Sequence, residues 1–166
     1  TFEKGDNAAQ ISLRDASFAP LGDLTFNMPV KLDVVAFTNP ASHTLTFNAP
    51  FGQTLTETTG YCTNMVGIGD SGTLVVSPGV GKTQYFDSLN TGWFFSSARF
   101  CVGEGTVVFK GPADSGKGVF GNTGIVVGKG GNLVLDFSGS IAGTYSTIAC
   151  EGTITFKAVA TANSKT

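Results

Sequence analysis

Few side chains in this 166-residue chain can make or break bonds: one histidine, three cysteines and twelve carboxylates. His43 follows Pro40-Ala41-Ser42 and precedes an alternating segment, which places it on a loop or a strand edge. A Ser-His-Asp arrangement needs a serine raised on a sharp strand-to-helix turn, and no G-x-S-x-G elbow occurs. One imidazole cannot build a His-rich metal site, and no thiolate or carboxylate stands at ligand spacing from it. No cofactor and no metal is therefore expected.

The thiols are Cys62, Cys101 and Cys150. None forms a C-x-x-C pair, which removes the dithiol redox motif and the zinc knuckle. An odd count allows one intrachain disulfide, with one thiol left over. A Cys62–Cys101 bridge is the expected pairing. It would close a loop of about forty residues, worth roughly 3–4 kcal/mol on chain-entropy arguments. The competing reading is three small buried hydrophobes.

The carboxylates offer one further chemistry. Glu104 and Glu151 each follow a cysteine-bearing, strand-like segment. If those strands paired, the two acids would approach one another, as a small secreted glycoside hydrolase would need. Outward-facing strand acids are the simpler reading, so no catalytic residue is expected.

Two glycine-rich motifs imitate phosphate sites. Gly79-Val80-Gly81-Lys82-Thr83 ends like a phosphate-binding loop, but Val76 stands where that motif requires its first glycine. Gly67-Ile68-Gly69-Asp70-Ser71-Gly72 fits G-x-G-x-x-G, yet a β run (Thr73 to Val76) follows it where a helix should open. Both read as turns, the second with Asp70 exposed at its tip.

The aromatic residues point to recognition. The single tryptophan, Trp93, adjoins a polar turn holding Asn90 and Asp87. A flat ring stacks on sugar C–H groups, while amides and carboxylates fix the hydroxyls. Trp93, Asn90, Asp87, Asp70 and Tyr61 are the candidate ligand-binding residues.

These groups must be held by strands. Leu24 to Asn27, Val30 to Val34, Thr44 to Asn48 and Thr153 to Lys157 alternate apolar and polar residues. Thr73 to Val76, Thr106 to Phe109, Ile125 to Val127 and Leu133 to Leu135 are short apolar runs rich in β-branched residues. Glycine, proline and asparagine breakers separate them every eight to twelve residues or so. No segment combines helical spacing with helix caps. Leu24-Thr25-Phe26-Asn27-Met28-Pro29 is echoed by Leu45-Thr46-Phe47-Asn48-Ala49-Pro50. The echo reads as two similar strand ends, since two copies do not define a repeat protein.

The pattern predicts an all-β domain over 1–159: a single antiparallel β-sandwich, jelly-roll or immunoglobulin-like. A β-barrel and a β-solenoid are the alternatives. Residues 160–166 read as a polar tail or the start of a linker. Ten basic against twelve acidic residues, net charge -2, argue against nucleic acid. No apolar stretch is long enough for a membrane helix, so no membrane insertion is expected. Only 13% of the residues are charged, and Thr, Ser and Gly abound. This composition suggests an extracellular or cell-surface module, adhesin-like or lectin-like and without catalysis. Its partner would be a glycan or a host-surface receptor, within a larger multidomain or polymeric assembly. A self-assembling structural surface protein is the first alternative.

Overall fold

The computed structural model describes residues 1, 10–14, 17–18, 21–33, 36–37, 43–63, 72–87, 95–96, 99–111, 120–137 and 144–157. The strands are β1 (Ile11–Arg14), β2 (Ser17–Phe18), β3 (Leu24–Phe26), β4 (Val30–Asp33), β5 (Ala36–Phe37), β6 (Thr44–Phe47), β7 (Phe51–Gly52), β8 (Thr54–Leu55), β9 (Thr59–Cys62), β10 (Thr73–Val76), β11 (Thr83–Asp87), β12 (Phe95–Ser96), β13 (Arg99–Val102), β14 (Gly105–Gly111), β15 (Phe120–Val127), β16 (Gly131–Phe137), β17 (Thr144–Cys150) and β18 (Thr153–Phe156). Among the described residues there is no helix.

The chain is all-β, as its patterning predicts, and it takes the solenoid form of that class, with about three turns. A front sheet stacks β3, β6, β10, β13, β15 and β17 in chain order, with β12 also joining β15. A back sheet stacks β8, β9, β11, β14, β16 and β18, and a third, three-stranded sheet (β1, β4, β7) serves the first coils. The expectation of antiparallel pairing is corrected. Among the described strands every pairing is parallel except the short β8–β9 pair.

The corners explain this outcome. In a hairpin, a tight connection returns the chain beside the strand it has just left. Here the Gly103-Glu104 corner carries it from β13 in the front sheet across the core to β14 in the back sheet. The next strand to hydrogen-bond with β13 is β15, one coil later. Successive corners then bond to one another: Gly79 N–H donates to Glu104 O (2.9 Å) and Gly105 N–H to Gly130 O (3.1 Å). Gly105 and Gly130 have φ of 101° and 83°, a left-handed conformation that side chains disfavour.

Because each rung repeats its register, the alternating residues line up in columns. Leu24, Leu45, Leu74, Phe100, Ile125 and Ile148 form one inward column of the front sheet. Cys62, Phe86, Phe109, Leu135 and Phe156 form one of the back sheet. Phe26 lies on Phe47 with ring centroids 5.1 Å apart, and Phe86 on Phe109 at 4.7 Å, close to the spacing of neighbouring strands. The two sets of columns meet between the sheets as one core. Each fully buried Leu, Val or Phe contributes about 1.5–3 kcal/mol.

Among the described residues, one polar side chain enters this core. Gln84 is fully buried on β11, in register with Gly60 of β9. The missing side chain at Gly60 lets the Gln84 amide reach the backbone of Phe51 beyond it. Phe51 N–H donates to Gln84 Oε1 at 2.9 Å, and Gln84 Nε2 donates to Phe51 O at 2.9 Å. The side-chain amide thus does for Phe51 what a strand backbone would do.

The expected Cys62–Cys101 bridge is also corrected, because all three thiols are free. Cys62 points inward from the back sheet. Cys101, between the buried Phe100 and Val102, points outward from the front sheet. Burial pushes the Cys62 thiol well above its ordinary value, and the Gln84 hydrogen bond offsets only part of this. Cys101 is shifted up as well by partial burial, against the opposing pull of Arg99.

Candidate binding face

The outer face of the back sheet carries three further columns. They occupy the positions between the inward-pointing residues of β9, β11, β14, β16 and β18. The first, nearest the corners, is Thr59, Thr83, Thr106, Asn132 and Thr153. The second is Tyr61, Tyr85, Val108, Val134 and Thr155, and the third is Asp87, Lys110 and Asp136.

Tyr61 and Tyr85 face outward because their strands repeat one pattern. Thr59-Gly60-Tyr61-Cys62 and Thr83-Gln84-Tyr85-Phe86 each bury their second and fourth residues. The two rings stack with centroids 4.6 Å apart and planes 6° from parallel. Lys110, one rung further on, lays its ammonium 5.0 Å from the Tyr85 ring centroid. This cation–π contact is worth about 0.5–1 kcal/mol, and Val108 and Val134, which continue the tyrosine column, are buried. In the third column Lys110 stands in register between Asp87 and Asp136. The two tyrosines and these three charged side chains are half-buried. In the hydroxyl-rich first column, Asn132 Oδ1 is buried and has no hydrogen-bond partner among the described residues.

The arrangement offers a strip of aromatic ring edges, since the tyrosine faces are turned to each other and to Lys110, with hydroxyls on one side and charges of alternating sign on the other. A ligand ring can pack its apolar face against these edges while donors and acceptors on both flanks read its substituents. Parallel strands hydrogen-bonded on both sides keep the spacing rigid, so little order need be lost on binding.

Of the residues selected from the sequence, Tyr61 and Asp87 come together on this face. Trp93, Asn90 and Asp70 lie outside the described residues. Sequence reasoning missed Tyr85 and Lys110. The repeated Thr-x-Tyr pattern was the available signal for Tyr85, and nothing local marks Lys110.

The other candidates are dispersed. Glu104 and Glu151 stand on exposed corners two coils apart, with the Gly128-Lys129-Gly130 corner between them. The Gly79-to-Lys82 segment is a corner leading into β11. His43 is half-buried just before β6, and its carbonyl accepts the Thr73 N–H at 2.9 Å. Among the described residues no group of three or more His, Cys, Asp or Glu is placed to hold a metal ion. No protein-family model, curated protein or solved structure matches the chain.

Proposed function

We propose that this chain is a non-catalytic recognition module of an exported or cell-surface protein, and that it binds a glycan on the outer face of the back sheet. The observation that carries this reading is the parallel Tyr61–Tyr85 stack, flanked by Asp87, Lys110 and Asp136 on a rigid sheet. The edges of the stacked tyrosines supply an apolar strip at small entropic cost, and the charged column supplies directional hydrogen bonds. The composition agrees: few charges, abundant hydroxyls and no catalytic constellation at its spacing.

The test is a glycan array followed by titration calorimetry with the best hit. Tyr85→Ala is expected to weaken binding at least tenfold, about 1.4 kcal/mol, with the circular dichroism spectrum and melting temperature retained. Tyr85→Phe should keep most of the affinity, because the ring supplies the apolar edge. An array without hits, or a hit that Tyr61→Ala and Tyr85→Ala both leave intact, overturns the reading. A hit lost only in Trp93→Ala would place the site on the 88–94 segment instead.

A further inference from the structure

Inside the solenoid each rung has a neighbour above and below. The last coil, β17 with β18, has described neighbours on one side only, β15 and β16. Among the described residues no strand continues the core columns beyond it. Ile148 extends the column of Ile125 and Phe156 that of Leu135. Those neighbours are each 2% exposed, whereas Ile148 is 51% and Phe156 60% exposed. Cys150, at the end of the Val76–Val102–Val127 column, is exposed too. This end is therefore a cut cross-section of the core, bordered by two strand edges.

The geometry points to this end as an interface between two copies of the chain, packed tail to tail about a two-fold axis. A strand edge is completed by another strand edge, and a second copy brings the same pair of edges. The placement of the strands lets both edges pair at once. Ile148 on β17 and Thr155 on β18 lie equally far along the chain from the Glu151-Gly152 corner, on opposite sheets. A two-fold axis through both positions, perpendicular to the sheets, lays β17 antiparallel on its own copy, with Ile148 against Ile148. The same rotation lays β18 on its copy, with Thr155 against Thr155.

Inward residues stay inward under this rotation. Ile154 then faces the partner's Phe156, and Phe156 faces the partner's Ile154, which closes the core. Lys157 arrives opposite the partner's Thr153, beside the partner's Glu151. Glu151 and Lys157 are both exposed, and the symmetry pairs their opposite charges twice. The opposite end of the molecule has a different cross-section, edged by β1 of the third sheet and by β3. The two-fold pairing uses the same edges on both copies, so it closes as a dimer rather than growing into a filament.

The experiment is sedimentation equilibrium of the full 166-residue chain over a wide concentration range. A monomer–dimer equilibrium is expected. Phe156→Glu and, separately, Lys157→Glu should each weaken it at least tenfold, while the dichroism spectrum of the monomer is unchanged. Adding Glu151→Lys to Lys157→Glu should restore it. Thr155 faces itself across the axis, so Thr155→Cys in a Cys150→Ser background should give a disulfide-linked dimer on a non-reducing gel. A chain that stays monomeric at all concentrations overturns the proposal, as does a dimer indifferent to both charge-introducing variants. These readouts do not involve glycan, so they stand or fall independently of the binding face.

Discussion

Gln84 illustrates how much one side chain decides in this fold. A buried glutamine with unmet hydrogen bonds would cost several kcal/mol, yet this one is bonded to Phe51 at both ends of its amide, and its Nε2 also reaches Tyr85 O at 3.1 Å. Its value lies in what its loss would strand. In Gln84→Ala the N–H of Phe51 loses the acceptor that Gln84 supplies, and its C=O keeps the weak Cys62 thiol donor at 3.6 Å; a buried group left unpaired costs about 1–3 kcal/mol. Urea denaturation should therefore show Gln84→Ala destabilised by roughly 2–4 kcal/mol. A loss under about 1 kcal/mol would mean that water replaces the amide at this point.

At the scale of the element, corners and strands obey different limits. A strand tolerates any residue that suits its face, but stacked corners bring backbone against backbone. A Cβ on Gly131 would collide with the carbonyl oxygen of Gly103 and lie 3.0 Å from those of Gly128 and Val102. A Cβ on Gly128, in the same corner, would meet only Val102 O at 3.5 Å, an ordinary contact. Neither glycine has positive φ, so the pair isolates the steric effect. Gly131→Ala is expected to cost about 2–3 kcal/mol and Gly128→Ala less than about 1 kcal/mol by chemical denaturation. Equal costs would show that the corners do not stack as tightly as this. The same corners explain which parts of the fold the sequence made legible. Strand positions and inward residues could be read from alternation, because one face of each strand is buried. Alternation does not distinguish parallel from antiparallel neighbours. Breakers such as Gly130-Gly131-Asn132 look like hairpin turns, although they carry the chain from one sheet to the other. The Leu24-to-Pro29 and Leu45-to-Pro50 echo was visible, and the two copies are in fact adjacent rungs, with Asn48 Nδ2 donating to Asn27 Oδ1 at 2.7 Å. Later coils differ in length, so no fixed period announced the stack. The binding face was half legible for the same reason: Tyr61 and Asp87 stood out as residue types, whereas the rung pairing that adds Tyr85 and Lys110 is a property of the stack.

At the scale of the whole molecule, a solenoid is nearly one-dimensional, since each coil is held by its neighbours. Stability should therefore vary along the axis. The central strands β13, β14, β15 and β16 have partners on both sides, and the side chains of Phe100, Val107 and Leu133 are fully buried. The last coil has one described neighbour, and residues 147–151 are exposed throughout. Local opening draws first on segments with few buried contacts and ends at global unfolding in the core. Hydrogen exchange read by mass spectrometry at low protein concentration should find the slowest amides in 99–110 and 124–136, and exchange at least tenfold faster in 147–157. Raising the concentration should slow 147–157 selectively, because the copy that covers the open end supplies the missing neighbour. Uniform protection along the axis at low concentration would contradict the coil-by-coil account. Uneven protection that does not respond to concentration would retain that account and count against the tail-to-tail dimer alone.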